Sequence, residues 1–205
     1  MPFELQVADP ADAPNRAEVF FAAFSDDFNR TMFPVNPDVH AWMIKNMLGG
    51  DNFAQHEVFL KVTDLSNPEV PVAFAKWRRP LSSSGADQES HPETPMQWPV
   101  SSDNELCDRF FGRMDRDHGE LMKDRPHYYL EMLAVHPSYQ GRGLASKLLK
   151  WGLSRADEEG VEVYLSSSPD GKPLYEKYGF QLQDGSFSPF PGYTQVNMIR
   201  PIQNS

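Results

Sequence analysis

Leu130–Leu149 reads LEMLAVHPSYQGRGLASKLL, and the rest of the chain is read outward from it. Tyr128–Val135 is filled by aromatic, aliphatic and β-branched residues with a single acid, Glu131, among them. That composition suits a strand covered on most of its surface. His136-Pro137 closes the strand, because the residue before proline is held extended and proline cannot donate to a ladder. Gln140-Gly141-Arg142-Gly143 turns the chain, after which Ala145, Leu148, Leu149, Gly152 and Ala156 recur at helical spacing. Gly160 is placed to cap the C-terminus of that helix.

A strand that runs through a glycine turn into a helix leaves unpaired backbone N–H groups at the helix N-terminus, where the dipole also favours an anion. Two glycines let the backbone come close to a phosphate, and Arg142 adds a positive charge beside them. The same residues also suit an ordinary β–turn–α connection. They match neither the dinucleotide fingerprint G-x-G-x-x-G nor the P-loop G-x-x-x-x-G-K-S/T.

Length and composition narrow the field. At 205 residues the chain is long enough for one domain with a proper core, and a single domain over 1–205 is expected. No apolar run approaches the roughly 20 residues that span a bilayer. The opening MPFELQVADPADAP lacks a basic start and an apolar stretch, so no secretory leader is expected. One cysteine, Cys107, excludes an intramolecular disulfide and fits a reducing compartment, cytoplasmic or nuclear. It reads as packing rather than as a nucleophile. A formal charge of −10 disfavours broad nucleic-acid binding.

Outward from the central stretch, Phe3–Val7 alternates as a strand, and Asp9-Pro10 and Asp12 offer capping chemistry for a helix through Arg16–Phe24. Residues 26–37 form a loop or bent helix, and a helix follows over about Asp38–Leu48. His56–Thr63 and Val70–Trp77 read as antiparallel strands, and Asn104–Lys123 resumes helical spacing. Between them, 79–103 is rich in proline, serine and acids and reads as a flexible insertion. Downstream come a strand from Val161 to Ser166, a short helix Pro173–Lys177, a strand at Phe180–Leu182, a loop over 185–192 and a last strand Tyr193–Ile199.

Leu133-Ala-Val-His-Pro-x-x-Gln140-x-x-Gly143-x-Ala145 resembles the Gln/Arg-x-x-Gly-x-Gly/Ala acyl-CoA loop of the GNAT superfamily of N-acetyltransferases. Pro173-Leu-Tyr-Glu-Lys-Tyr-Gly-Phe180 is similar to that family's closing Y-x-x-x-G-F segment, in the right order and at the right distance. The resemblance implies an α/β (α+β) fold: a mixed, mostly antiparallel sheet of about seven strands with a central V-shaped split and helices on both faces. It implies direct transfer of an acetyl group from acetyl-CoA, as co-substrate and without a metal, to a small-molecule or peptide amine in a ternary complex. A different acyl-CoA, a hydroxyl acceptor, or a non-catalytic acyl-CoA-binding module would keep the same fold. Dimerisation is common in the family; neither nucleic acid nor membrane is implied as a partner.

By the same resemblance the backbone of Leu133, Ala134 and Val135 holds the thioester and pantetheine, with a bulge near Leu133 to free its N–H groups. Gln140, Gly141, Arg142, Gly143, Leu144, Ala145 and Ser146 surround the pyrophosphate. Ser168, where the family often has asparagine, joins Leu174 and Tyr178 on the cofactor side. Tyr175 aligns with the tyrosine that protonates the leaving sulfur, and a phenol with an ordinary pKa of about 10 is protonated at neutral pH. Glu131 fits two readings, a base for the attacking amine or an ion-paired strand glutamate. Asp115, Asp117, His118 and Glu120 read as a solvated helix face, and Ser166–Ser168 lacks the context of a serine nucleophile. Phe28, Phe33, Trp42, Trp98 and Phe190 are available either to line the acceptor site or to pack the core.

Overall fold

His127–Val135 forms the central strand, β4, of a computed structural model that describes residues 2–49, 56–80 and 96–203. Before it come β1 (Phe3–Val7), α1 (Ala13–Ala23), α2 (Asp27–Met32), α3 (Pro37–Asn46), β2 (Glu57–Asp64), β3 (Asn67–Arg78) and α4 (Asn104–Met122). After it come α5 (Leu144–Glu159), β5 (Glu162–Ser167), α6 (Lys172–Lys177), β6 (Gln181–Leu182), β7 (Phe187–Phe190) and β8 (Tyr193–Arg200). The sheet has eight strands in the order β1-β2-β3-β4-β5-β8-β6, with β7 paired to β8. Every pairing is antiparallel except β4 with β5, the two strands that α5 connects.

The expected fold is present, with one strand more than expected. Phe187–Phe190, read from sequence as loop, pairs with β8 through Phe187↔Gln195 and Phe190↔Tyr193. A proline at 189 and a glycine at 192 conceal a short edge strand from an alternation count.

Two cores lie on opposite faces of the sheet. On one face α5 packs Leu148, Leu149, Leu153 and Ala156 against Leu60, Ala75, Trp77 and Leu130. On the other, α1, α2, α3 and α4 pack around Phe59, Phe74 and Ala134. Strand β3 shows the alternation directly: Ala73, Ala75 and Trp77 belong to the first core and Phe74 to the second. Arg16 of α1 is fully buried, donates to the carbonyls of Asp9 (3.1 Å) and Leu48 (2.6 Å), and lies over Phe59. It thereby ties the start of α1 to the end of α3.

The α4 face expected to be solvated is in part buried. Asp117 is 6% exposed and accepts from Arg113 Nε (2.6 Å) and Asn197 Nδ2 (3.0 Å), while Asn197 Oδ1 accepts from Tyr164 Oη. His118 sits against the rings of Tyr129 and Tyr164 with centroids 4.6 and 4.7 Å away. Residues of one helix three and four apart face alike, and here that face meets β5 and β8. His127 Nδ1 lies 2.7 Å from the Arg125 carbonyl and so donates to it; its Nε2 then accepts from His118 Nε2, also at 2.7 Å.

Burial, with His127 and Arg78 adding to it, lowers the His118 pKa to about 4. The folded value lies below the ordinary 6.5, so this neutral ring contributes stability above pH 6.5 that is lost as pH falls towards 4. Unfolding free energy is expected to drop by about 2 kcal/mol across that window, after allowing for partial exposure. A His118→Phe variant, which keeps the ring stack, should flatten that part of the profile. An unchanged profile would refute the assignment. Among the described residues no helix is long and apolar enough to cross a membrane.

Candidate active site

The site begins where the central pair of strands parts. β4 and β5 pair in parallel over His127↔Glu162 to Leu130↔Leu165, and β4 then continues to Val135 along β3 alone. The wedge so opened holds a cavity of about 720 Å³, counting the part open to solvent. Leu130, Glu131, Met132 and Leu133 line one side and Ser166, Ser168 and Tyr175 the other; α1, α2 and α4 supply Phe20, Phe24, Phe33, Phe111 and Met114.

A bulge accompanies the split, two residues earlier than expected. Lys76 pairs with Met132 and Trp77 with Leu130, so Glu131 is the extra residue. A bulge bends its strand and re-aims the side chain at that point. Glu131 lines the cavity, and its carboxylate also meets Lys76 Nζ (2.8 Å) and Arg78 Nη2 (2.8 Å). Lys76 in turn meets Glu57 at 2.8 Å, which makes a quartet with no net charge. Burial works against the charge of Lys76, but Glu131 and Glu57 outweigh it and hold its pKa above the ordinary value. Both readings of Glu131 therefore meet at one residue: it faces the cavity and it is ion-paired.

Tyr175 is carried by α6, a helix of under two turns that starts at Gly171 with Pro173 in its first turn. The side chain is 9% exposed, lines the cavity and packs edge-on to Phe180 at 5.7 Å. Burial alone raises its pKa well above that of an ordinary phenol, so the hydroxyl keeps its proton. A Cβ at Gly171 would stand 2.9 Å from the Tyr175 ring and 3.2 Å from Ser167 Oγ. Gly171→Ala is therefore expected to displace the ring and reduce turnover while the fold persists, a change visible as an altered near-ultraviolet spectrum with an unchanged far-ultraviolet one.

The head of α5 closes the C-terminal end of β4. Gly141 and Gly143 have φ of 72° and 78°, a region that residues with a Cβ seldom enter. Gly143 is the N-cap and offers no side-chain acceptor, and the first helical bond runs from Lys147 N to Gly143 O. The amides before Lys147 are thus left for an anion. A Cβ built at either glycine would meet nothing within 4 Å, so the approach to this backbone is open. Gln140 Nε2 donates to the Val135 carbonyl (3.3 Å), and Arg142 donates to the Ser138 carbonyl (3.1 Å) and lies over Tyr139. These bonds hold the loop against the end of the strand.

Of the residues singled out from sequence, Glu131, Leu133, Ser168 and Tyr175 meet in the cavity, and Gln140, Gly141, Arg142, Gly143, Leu144, Ala145 and Ser146 form the α5 head. Ala134 and Val135 belong to the cores on opposite faces, Leu144 is buried, and Leu174 and Tyr178 pack on the α5 side without lining the cavity. Cys107 is buried, with its thiol pushed up to about 12 by burial and then by Asp103 and Asp108, which agrees with packing. Sequence reading missed Asn29, Tyr193, Gln195 and Ser166. Tyr193 Oη donates to Gln195 Oε1 (3.0 Å) and Gln195 Nε2 donates to Ser166 Oγ (3.1 Å), a polar rung inside the cavity. The alternation Gln195-Val-Asn-Met reads as polar residues facing water, yet Gln195 and Asn197 are 4% and 1% exposed.

A family model described as an acetyltransferase (GNAT) domain matches residues 112–200, the stretch that holds β4, the α5 head and Tyr175. Over that segment the chain is similar to GNAT acetyltransferases. An uncharacterized N-acetyltransferase of Schizosaccharomyces pombe is 30% identical over 92 residues, 42% of this chain and 37% of that one. The chain covers well under two thirds of its curated relatives, 37%, 28% and 35% of their lengths. The likeness of fold to solved acetyltransferases extends beyond that segment. A solved Corynebacterium glutamicum structure, histone acetyltransferase HPA2 and related acetyltransferase, is 21% identical with a TM-score of 0.61 over 100% of this chain and 99% of that one. The PaiA N-acetyltransferase of Thermoplasma acidophilum, solved in complex with coenzyme A, is 13% identical with a TM-score of 0.55 over 98% and 99%.

The N-terminal helices supply the other wall of the cavity, and a segment outside the helices buttresses it. Most of the expected insertion, 81–95, lies outside the described residues. The part that follows is not free: Trp98 is half-buried, stacks on Phe111 (5.1 Å), meets Trp42 (5.3 Å) and Phe33 (6.2 Å), and donates to Asp108 Oδ1 at 2.7 Å. Ser101 donates twice to Asp38. Of the five aromatics considered from sequence, only Phe33 lines the cavity; Trp42 and Trp98 stand behind it, and Phe28 and Phe190 pack together. Trp98→Ala is expected to unseat Phe33 and Phe111 and to lower Tm by several degrees, measured by thermal melting.

Proposed function

We propose that this protein is an acyl-CoA-dependent N-acetyltransferase that moves an acetyl group from acetyl-CoA directly to an amine in a ternary complex. One observation carries the reading: β4 leaves β5 at Leu130, and the opening holds a cavity with Tyr175 at its side and the uncapped head of α5 at the end of the strand. A thioester reaching into the split would find strand edge beyond Leu130 that β5 does not pair. The head of α5, with its two open glycines, suits the pyrophosphate of the same substrate. The coenzyme A held by the Thermoplasma relative supports the assignment.

In the reaction the neutral amine attacks the thioester carbon, a C–N bond forms and the C–S bond breaks. The sulfur takes the Tyr175 proton, and the proton lost by the amine returns to the phenolate through water. Burial suits Tyr175 to this work, because a phenol that stays protonated is a donor held ready. We infer that Glu131 contributes mainly by fixing Lys76 and Arg78 at the edge of the cavity, since its carboxylate is already engaged by both cations. Glu131→Gln is then expected to lower stability and leave the acid limb of the pH–rate profile in place; loss of that limb would make Glu131 the base. The proposal is tested by free-thiol release from acetyl-CoA with a panel of primary amines, with the acetylated product identified by mass. Thiol release at the hydrolytic background from protein that binds acetyl-CoA would leave an acyl-CoA-binding module instead.

A further inference from the structure

We propose that the acceptor is a small monoamine with a bulky apolar, aromatic group near its nitrogen, an inference that rests on the acetyltransferase reading above. The cavity wall facing the split is made of Phe20, Phe24, Phe33 and Phe111 with Met32 and Met114. Phe24, Phe111 and Met114 are only half-buried, so the cavity borders side chains with uncovered apolar surface. Rings and thioethers favour an aromatic guest through area removed from water and through ring–ring and sulfur–ring contacts.

Charge argues the same way. Among the described residues that line the cavity, Glu131 is the only charged one, and its carboxylate already faces Lys76 and Arg78 at 2.8 Å each. A polyamine brings a second ammonium group, which would find no uncommitted carboxylate among the described residues that line the cavity. A peptide brings backbone donors and acceptors that need partners. Two polar side chains of the cavity are already paired, Gln195 with Tyr193 and Ser166, and Asn29 with Asp26 at 2.6 Å. The single amine of an arylalkylamine carries neither burden. It loses one proton, gains the acetyl group as its C–N bond forms, and releases CoA as the thiol.

The test compares 2-phenylethylamine with spermidine and with a tetrapeptide of free N-terminus, by thiol release at saturating acetyl-CoA. The kcat/KM for 2-phenylethylamine is expected to exceed either of the others by about 10-fold or more. Phe111→Ala should lower it by about 10-fold. Met114→Glu, which sets an uncommitted carboxylate in the wall, should move preference towards spermidine. Saturation-transfer NMR of 2-phenylethylamine with the protein alone tests the cavity without acetyl-CoA, so this inference fails separately from the acetyltransferase reading. Preference for spermidine or the peptide, turnover of none of the three, or absence of ring-proton transfer in the NMR experiment would overturn it. Failure to bind acetyl-CoA strikes the earlier reading.

Discussion

Replacing Tyr175 by Phe is expected to lower kcat for acetyl transfer by about 100-fold or more while acetyl-CoA affinity stays within about twofold. The ring keeps its place without the hydroxyl, because its position comes from Phe180, Gly171 and the short helix α6. What is removed is one proton held where a thiolate would depart. A thiolate leaving without a proton is a poorer leaving group in a cavity lined largely by apolar side chains, where an unbalanced negative charge is costly. Because burial holds the phenol pKa far above neutrality, kcat of the native protein should show no limb from Tyr175 up to pH 9. Equal losses in kcat and in acetyl-CoA binding would make Tyr175 a packing residue.

Gly152→Val is expected to lower unfolding free energy by about 3 kcal/mol, and Gly152→Ala by about 1–2 kcal/mol. A Cβ at Gly152 would stand 2.5 Å from Cη2 and Cζ2 of Trp77, closer than any real side chain sits. Trp77, on β3, is fully buried under α5 and has no room to yield. Alanine recovers about 1 kcal/mol through its better helix propensity, whereas valine adds two methyl groups and a stiff χ1. Since α5 must lift from the sheet to admit the side chain, its glycine head moves too, and acetyl-CoA affinity should fall along with Tm. A valine variant with unchanged Tm would show that α5 is not seated by this contact.

The fold was legible because its two motifs lie in elements with strong local signals. Val135-His-Pro ends a strand, Gly141 and Gly143 need left-handed backbone, and Gly160 caps α5 at φ 65°, each a matter of local chain chemistry. The same locality explains Tyr175, whose short helix is announced by Pro173 and Gly179. What escaped depends on contacts distant in sequence. The quartet joins Glu57 on β2, Lys76 and Arg78 on β3 and Glu131 on β4, and no spacing within one strand announces it. The bulge falls at Glu131 rather than near Leu133 because register is set by the pairing with β3, not by β4 itself. Gln195 and Asn197 were not singled out, because their burial comes from the covering of both sheet faces and not from β8 itself. Trp98 was open to either role because a proline- and serine-rich neighbourhood gives no sign of the rings it packs against.

Calorimetric titration with acetyl-CoA tests the central claim most directly, that the split between β4 and β5 and the head of α5 together form a thioester-binding site. Saturable 1:1 binding with a Kd on the order of micromolar is expected, and Gly143→Val, which forces a β-branched residue into left-handed backbone, should abolish it. No heat of binding at millimolar acetyl-CoA from folded native protein would contradict the account.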